Sequence, residues 1–129
     1  MGRSPIAEVL FNKIANDKFI ASSAGTNTIN GRCAGPDTVK IMKEYGIDLS
    51  NHKARKLDEN LLKESDYVIC MEKYHLNFLL NNFPKYSDKY STLRGKNIAD
   101  PYKGSYELYR TVAKDIEKGI QELLQKIDN

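Results

Sequence analysis

Helical stripes alternate along this chain with short runs rich in β-branched and aromatic residues, and that alternation limits the fold more than any other feature. Ile6, Val9, Leu10 and Ile14 fall at helical spacing and predict a helix to about Asp17. Phe19-Ile20-Ala21-Ser22-Ser23 reads as a short strand, closed by the turn Ala24-Gly25-Thr26. Beyond a loop with Gly31, Gly35 and Pro36, Asp37 is placed to cap a helix carrying Val39, Met42 and Tyr45, which Gly46 stops. A short helix over about 58–64, a strand over 67–71 and a helix over 73–82 follow, with Pro84 closing the last. A weak strand near 90–93 precedes the final helix, whose stripe is Leu108, Val112, Ile116, Ile120, Leu123 and Ile127. This order predicts an α/β fold with a parallel sheet. Such a domain usually opens with a strand, whereas this chain opens with a helix. No repeat, low-complexity segment or linker interrupts it, so residues 1–129 are read as one domain, long enough to bury a core.

Charge and composition narrow the function classes. A net charge of +3 permits an anionic ligand but is too small and dispersed to argue for nucleic acid. The longest apolar runs, such as Tyr67-Val68-Ile69-Cys70-Met71, fall far short of a membrane span or signal peptide, so no membrane partner is expected and the cytoplasm is the default location. The two cysteines make no disulfide framework. Cys70 sits in an apolar run and reads as a buried thiol, and Cys33 sits in a Gly-rich loop. Two His and two Cys, scattered, give no metal-ligand spacing.

The chemistry concentrates at the start. In Met1-Gly2-Arg3-Ser4-Pro5, Ser4 is placed to cap the first helix and Pro5 to occupy its first position. Arg3 then stands just ahead of a helix N-terminus, where orphan N–H groups and the macrodipole favour a phosphate. The segment reads as the second half of an anion-binding loop.

With four further segments, this start resembles the low-molecular-weight protein tyrosine phosphatases. The matching segments are Arg3-Ser4-Pro5-Ile6-Ala7-Glu8, Ser22-Ser23-Ala24-Gly25-Thr26, the stretch from Gly46 to Arg55, Val68-Ile69-Cys70-Met71-Glu72 and Asp100-Pro101-Tyr102. Each is weak alone; together, in order and at the right spacing, they cover essentially the whole chain. The resemblance implies a three-layer α/β/α fold with a four-stranded parallel sheet, the central first strand missing here. The family's loop is Cys, five residues, then Arg-Ser. Met1 and Gly2 would be the last two of the five, so the Cys and the loop's Asn would fall ahead of Met1.

The roles implied are chemical ones. A thiolate at a helix N-terminus attacks phosphorus. By resemblance Arg3 is the guanidinium fork that binds two phosphoryl oxygens and stabilises the transition state. Gly2 and Ser4 join it around the phosphate, with the Ser4 hydroxyl directed at the nucleophile's thiolate. Asp100 is the general acid and then the base for hydrolysis of the phosphocysteine. Tyr102 lines the cleft wall and stacks on an aromatic substrate. Ser23 and His52 resemble residues that brace the phosphate loop through its Asn. His75 reads as a surface residue, and Lys53 to Lys56 as a solvated charged face.

The function implied is hydrolysis of phosphotyrosine in a protein, or of a small aryl phosphate, through a cysteinyl-phosphate. No cofactor or metal is implied, phosphate-like oxyanions should inhibit, and a monomer is expected. Tyr102 favours phosphotyrosine over the phosphoarginine used by a bacterial branch of the family. Arsenate reductase, on a similar fold, needs paired redox cysteines that Cys33 and Cys70 do not supply. A reading from another class is a non-catalytic relic or binding module. The 129 residues as they stand lack the nucleophile, so they are expected to be inactive and poorly stable alone, either through a misplaced start or a real truncation.

Overall fold

The computed structural model describes residues 3–16, 18–25, 30–102 and 104–127. Two β-strands and five α-helices are found among them, in the order α1 (Arg3–Ala15), α2 (Pro36–Glu44), α3 (Glu59–Glu64), β1 (Val68–Cys70), α4 (Lys73–Asn82), β2 (Tyr90–Thr92) and α5 (Tyr106–Ile127). Short 3-10 turns at Pro84–Lys89 and Leu93–Gly95 flank β2.

β1 and β2 pair in parallel, with Val68 opposite Tyr90 and Cys70 opposite Thr92, and α4 makes the crossover between them. The pleat of β1 explains the layers. Side chains alternate across a strand, so Val68 and Cys70 face one hydrophobic cluster and Ile69 and Met71 the other. The first cluster is built on Leu62 of α3 and Leu79 of α4. The second joins Ile6 and Leu10 of α1, Ile41 and Met42 of α2, and Val112, Ala113, Ile116 and Ile120 of α5. A parallel sheet between two helical layers is the predicted α/β/α class.

Several local expectations are corrected. α1 begins at Arg3, so Ser4 lies inside the helix rather than ahead of it. Pro5 is still in the first turn, where its missing N–H forfeits no helical hydrogen bond. Phe11 and Ala15 share the buried face of α1, while Ile14 is exposed. Asn16, at φ +51°, ends the helix, and Asp17 lies outside the described residues. α2 is capped by Gly35 rather than Asp37, because Pro36 takes the first helical position its ring suits. Gly46, at φ +74°, stops α2 as expected, with Ile47 N–H closing on the Met42 carbonyl at 3.0 Å.

The predicted strand over 19–23 has no ladder among the described residues. Three of its backbone groups are met by side chains of α1 instead. The Asn12 amide accepts from the Ala21 N–H at 2.8 Å and donates to the Ala21 carbonyl at 3.0 Å. Glu8 accepts the Ser23 N–H at 2.7 Å. Pairing with other backbone begins only at Gly25, which bridges in parallel to Lys56. No helix among the described residues is long and apolar enough to cross a membrane.

Candidate functional site

The first turn of α1 projects Arg3 into a polar pocket walled by two segments distant in the chain. Its side chain is only 11% exposed. Nη1 donates to the Ile98 carbonyl at 2.6 Å and lies 3.2 Å from Glu72 Oε1. Nη2 lies 3.8 Å from Asp100 Oδ2. The two residues predicted to do chemistry, Arg3 and Asp100, are thus brought together. Glu72, whose contact with Arg3 no local sequence pattern signals, is the third member of this cluster. It caps α4 just past β1, at the carboxyl edge of the sheet, where ligand crevices of parallel sheets form.

Asp100 sits in a tight turn. Its Oδ1 accepts the Tyr102 N–H at 3.0 Å, and Pro101 is buried beneath. The carboxylate therefore keeps one oxygen on the turn and the other toward Arg3. Tyr102 is 67% exposed. The backbone leading to the turn is held by Ile98 N–H donating to the Met71 carbonyl at 2.8 Å.

A second polar centre lies about one helical turn along α1 from Ser4. Ser23 donates through both N–H and Oγ–H to Glu8 Oε1, at 2.7 and 2.9 Å. His52 Nε2 lies 3.8 Å from Glu8 Oε2, and its buried Nδ1 has no protein partner among the described residues. Ser23 and His52, expected to brace a phosphate loop through its Asn, both meet Glu8. Gly2 lies outside the described residues, as does Thr26.

The surface assignment of His75 is overturned. It is half-buried in the first turn of α4, one turn beyond Glu72. Burial lowers its pKa first and the Arg3 charge lowers it further, against the opposing pull of Glu72 and Asp100. Its helical spacing from Glu72 was visible in the sequence, but the neighbouring Arg3 was not.

The thiols separate as predicted. Cys70 is 5% exposed, and burial pushes its pKa up to about 11, which suppresses the thiolate. Cys33 is exposed and free, with Lys53 Nζ 3.1 Å from its sulfur.

This geometry has clear relatives. A protein-arginine-phosphatase of Bacillus subtilis (strain 168) is 30% identical over 134 residues, covering 97% of this chain and 89% of that protein. The crystal structure of a low molecular weight protein tyrosine phosphatase from T. tengcongensis superposes with a TM-score of 0.91 at 34% identity, covering 96% of this chain and 90% of that one. Vibrio vulnificus Wzb, solved in complex with benzylphosphonate, superposes with a TM-score of 0.89 at 28% identity over 98% of this chain and 91% of that one. Matches this full give no support to the expected truncation. The family model described as low molecular weight phosphotyrosine protein phosphatase matches residues 1–129, and the chain belongs to that family.

Proposed function

We propose that the site acts on phosphotyrosine monoesters, with Arg3 as the phosphate fork and Asp100 as the proton carrier. The observation that carries this reading is the placement of the Arg3 guanidinium 3.8 Å from the Asp100 carboxylate, with Tyr102 exposed on the same turn. Glu72 and the Ile98 carbonyl fix the fork before substrate arrives, so little reorganisation is left for the bound state. A phosphoryl group seated on Arg3 lies within reach of Asp100, which protonates the leaving phenolate and then takes a proton from the attacking water. Tyr102 offers a ring face to the aryl group. Ser4 and Gly2 complete the anion cradle, and Ser23 and His52 brace it through Glu8. The resemblance to benzylphosphonate-bound Wzb supports an aryl-bearing phosphoryl ligand here. The similarity to an arginine phosphatase supports phosphoarginine as the second reading.

The chemistry of the family needs a thiolate facing the fork. Of the two thiols in these 129 residues, Cys70 is buried and Cys33 is held in a loop beside Lys53. A polypeptide of these residues alone therefore binds without turning over. Two measurements test the proposal. Calorimetric titration should show O-phosphotyrosine binding more tightly than phosphoarginine, and Arg3→Lys should weaken it at least tenfold, since an ammonium cannot reproduce the bidentate fork. Tighter phosphoarginine binding would transfer the assignment to the second reading, and affinity indifferent to Arg3→Lys would sink both. Steady hydrolysis of phenyl phosphate, abolished by Asp100→Ala, would refute the claim that these residues alone are inactive.

A further inference from the structure

A second recess adjoins the Arg3 site through Ala99, which stands between Ile98 and Asp100. It is an open groove of about 430 Å³ between α5 and the segment running from Leu93–Gly95 to Ala99. None of Arg3, Ser23, Glu72 or Asp100 lines it. Its floor is apolar, from Ala99, Leu108 and Val112. Its rim carries four cations, Arg94, Lys96, Lys114 and Lys118, and one carboxylate, Asp115.

The charges do not balance. Arg94 is engaged by Asp115 at 2.6 Å and Glu122 at 2.9 Å, and Lys96 reaches Asp115 at 3.3 Å. Two carboxylates thus answer two cations. Lys114 and Lys118, one helical turn apart on α5, make no ion pair among the described residues. A surplus of two positive charges stands over an apolar floor.

The arrangement is built rather than incidental to a surface helix. Arg94 holds a left-handed backbone at φ +60°, which a side chain rarely adopts and which needs support from its surroundings. α5 can approach it only because residue 119 is glycine. A Cβ there would stand 2.7 Å from Leu93 Cγ and 2.8 Å from Arg94 Cγ.

From this geometry we propose that the groove is a second ligand site, for a phosphate-monoester-type dianion carrying a small apolar body. The dianion pairs with Lys114 and Lys118, and the apolar body rests on Ala99, Leu108 and Val112. The site stands independently of the reading given to Arg3.

Phenylphosphonate, which is not hydrolysed, is the probe. Titrated into the isotope-labelled protein, it should shift the amides of Thr111, Asp115 and Lys118 saturably, as a set distinct from those of Ser4 and Ser23. The exposed pair Lys114→Gln/Lys118→Gln should weaken the first set at least tenfold and leave the second unchanged. Inorganic phosphate, lacking the apolar body, should act on the first set at least several-fold more weakly. The proposal is overturned if the α5 set does not move, if it moves equally in the double variant, or if phosphate matches phenylphosphonate. Glu122→Gln, which leaves both lysines in place, controls for a general change of surface charge and should not weaken binding.

Discussion

Glu8 is where the structure makes its most specific demand. One carboxylate oxygen accepts both donors of Ser23, at 2.7 and 2.9 Å, and the other faces His52 at 3.8 Å. Hydrogen bonds to a charged acceptor contribute about 1.5–3 kcal/mol each, and a buried donor left without a partner forfeits its desolvation cost. Ser23 is only partly buried, so water replaces some of what is lost, and the low end of the range applies. Glu8→Ala should therefore destabilise by about 2–3 kcal/mol. In a protein of this size that is a drop of roughly 8–12 °C in Tm. Ser23→Ala removes only the hydroxyl donor and should cost about 1 kcal/mol. The two residues touch, so their effects should not add, and a double-mutant cycle by urea denaturation should return a coupling of about 0.5–1 kcal/mol. A loss below about 0.5 kcal/mol for Glu8→Ala, or no coupling, would refute the reasoning, because it would mean that water already serves Ser23 as well as Glu8 does.

Three other outcomes follow. Because folding raises the Cys70 pKa to about 11, its contribution to stability is complete below the ordinary thiol range and is lost as pH rises from about 9 to about 11. Urea midpoints across that window should fall more steeply in the parent than in Cys70→Ala, with the raised pKa values of Tyr45 and Tyr109 common to both. Iodoacetamide at pH 8 should label Cys33 in the native protein and reach Cys70 only after denaturation, as peptide mass spectrometry would show. Gly119→Ala gains about 1 kcal/mol of helix propensity. Against that, its Cβ meets the Leu93 and Arg94 side chains below 3.0 Å, and overpacking costs about 1–3 kcal/mol, so thermal melting should show net destabilisation.

What the sequence disclosed tracks how local each cause is. Asp58 caps α3 by accepting the Leu61 N–H at 3.0 Å, and Gly46 ends α2 through its own backbone, so both were readable from a few neighbouring residues. The strand expected over 19–23 failed for a non-local reason. Phe19 and Ile20 carry strand propensity, but a strand exists only if a ladder receives its N–H and C=O groups. Here the side chains of Asn12 and Glu8 take only the Ala21 N–H and C=O and the Ser23 N–H. Glu72 at the cap of α4 and His75 in its first turn were in plain view, yet their meaning rests on Arg3, whose partner at Ile98 is 95 residues away along the chain. Arg3 and Asp100 were legible because a motif supplied what spacing alone could not.

The two polar centres are not independent, because one helix carries both. α1 presents Arg3 from its first turn and Glu8 from its second, and between and beyond them Ile6 and Leu10 are fully buried in the cluster with Val112, Ala113 and Ile116 of α5. The rotation of α1 about its axis is fixed by that apolar stripe, since turning it would expose Ile6 and Leu10 at about 1.5–3 kcal/mol each. The same rotation aims Arg3 at Ile98, Glu72 and Asp100, and Glu8 at Ser23 and His52. Arg3 lies at i, i+3 and i+7 spacing with Ile6 and Leu10, so the hydrophobic packing that sets its direction is on its own side of the helix, and the charged contacts only refine it. Polar groups that converge from α1, from the end of β1 and from the turn at Asp100 hold their geometry because all three elements rest on one core.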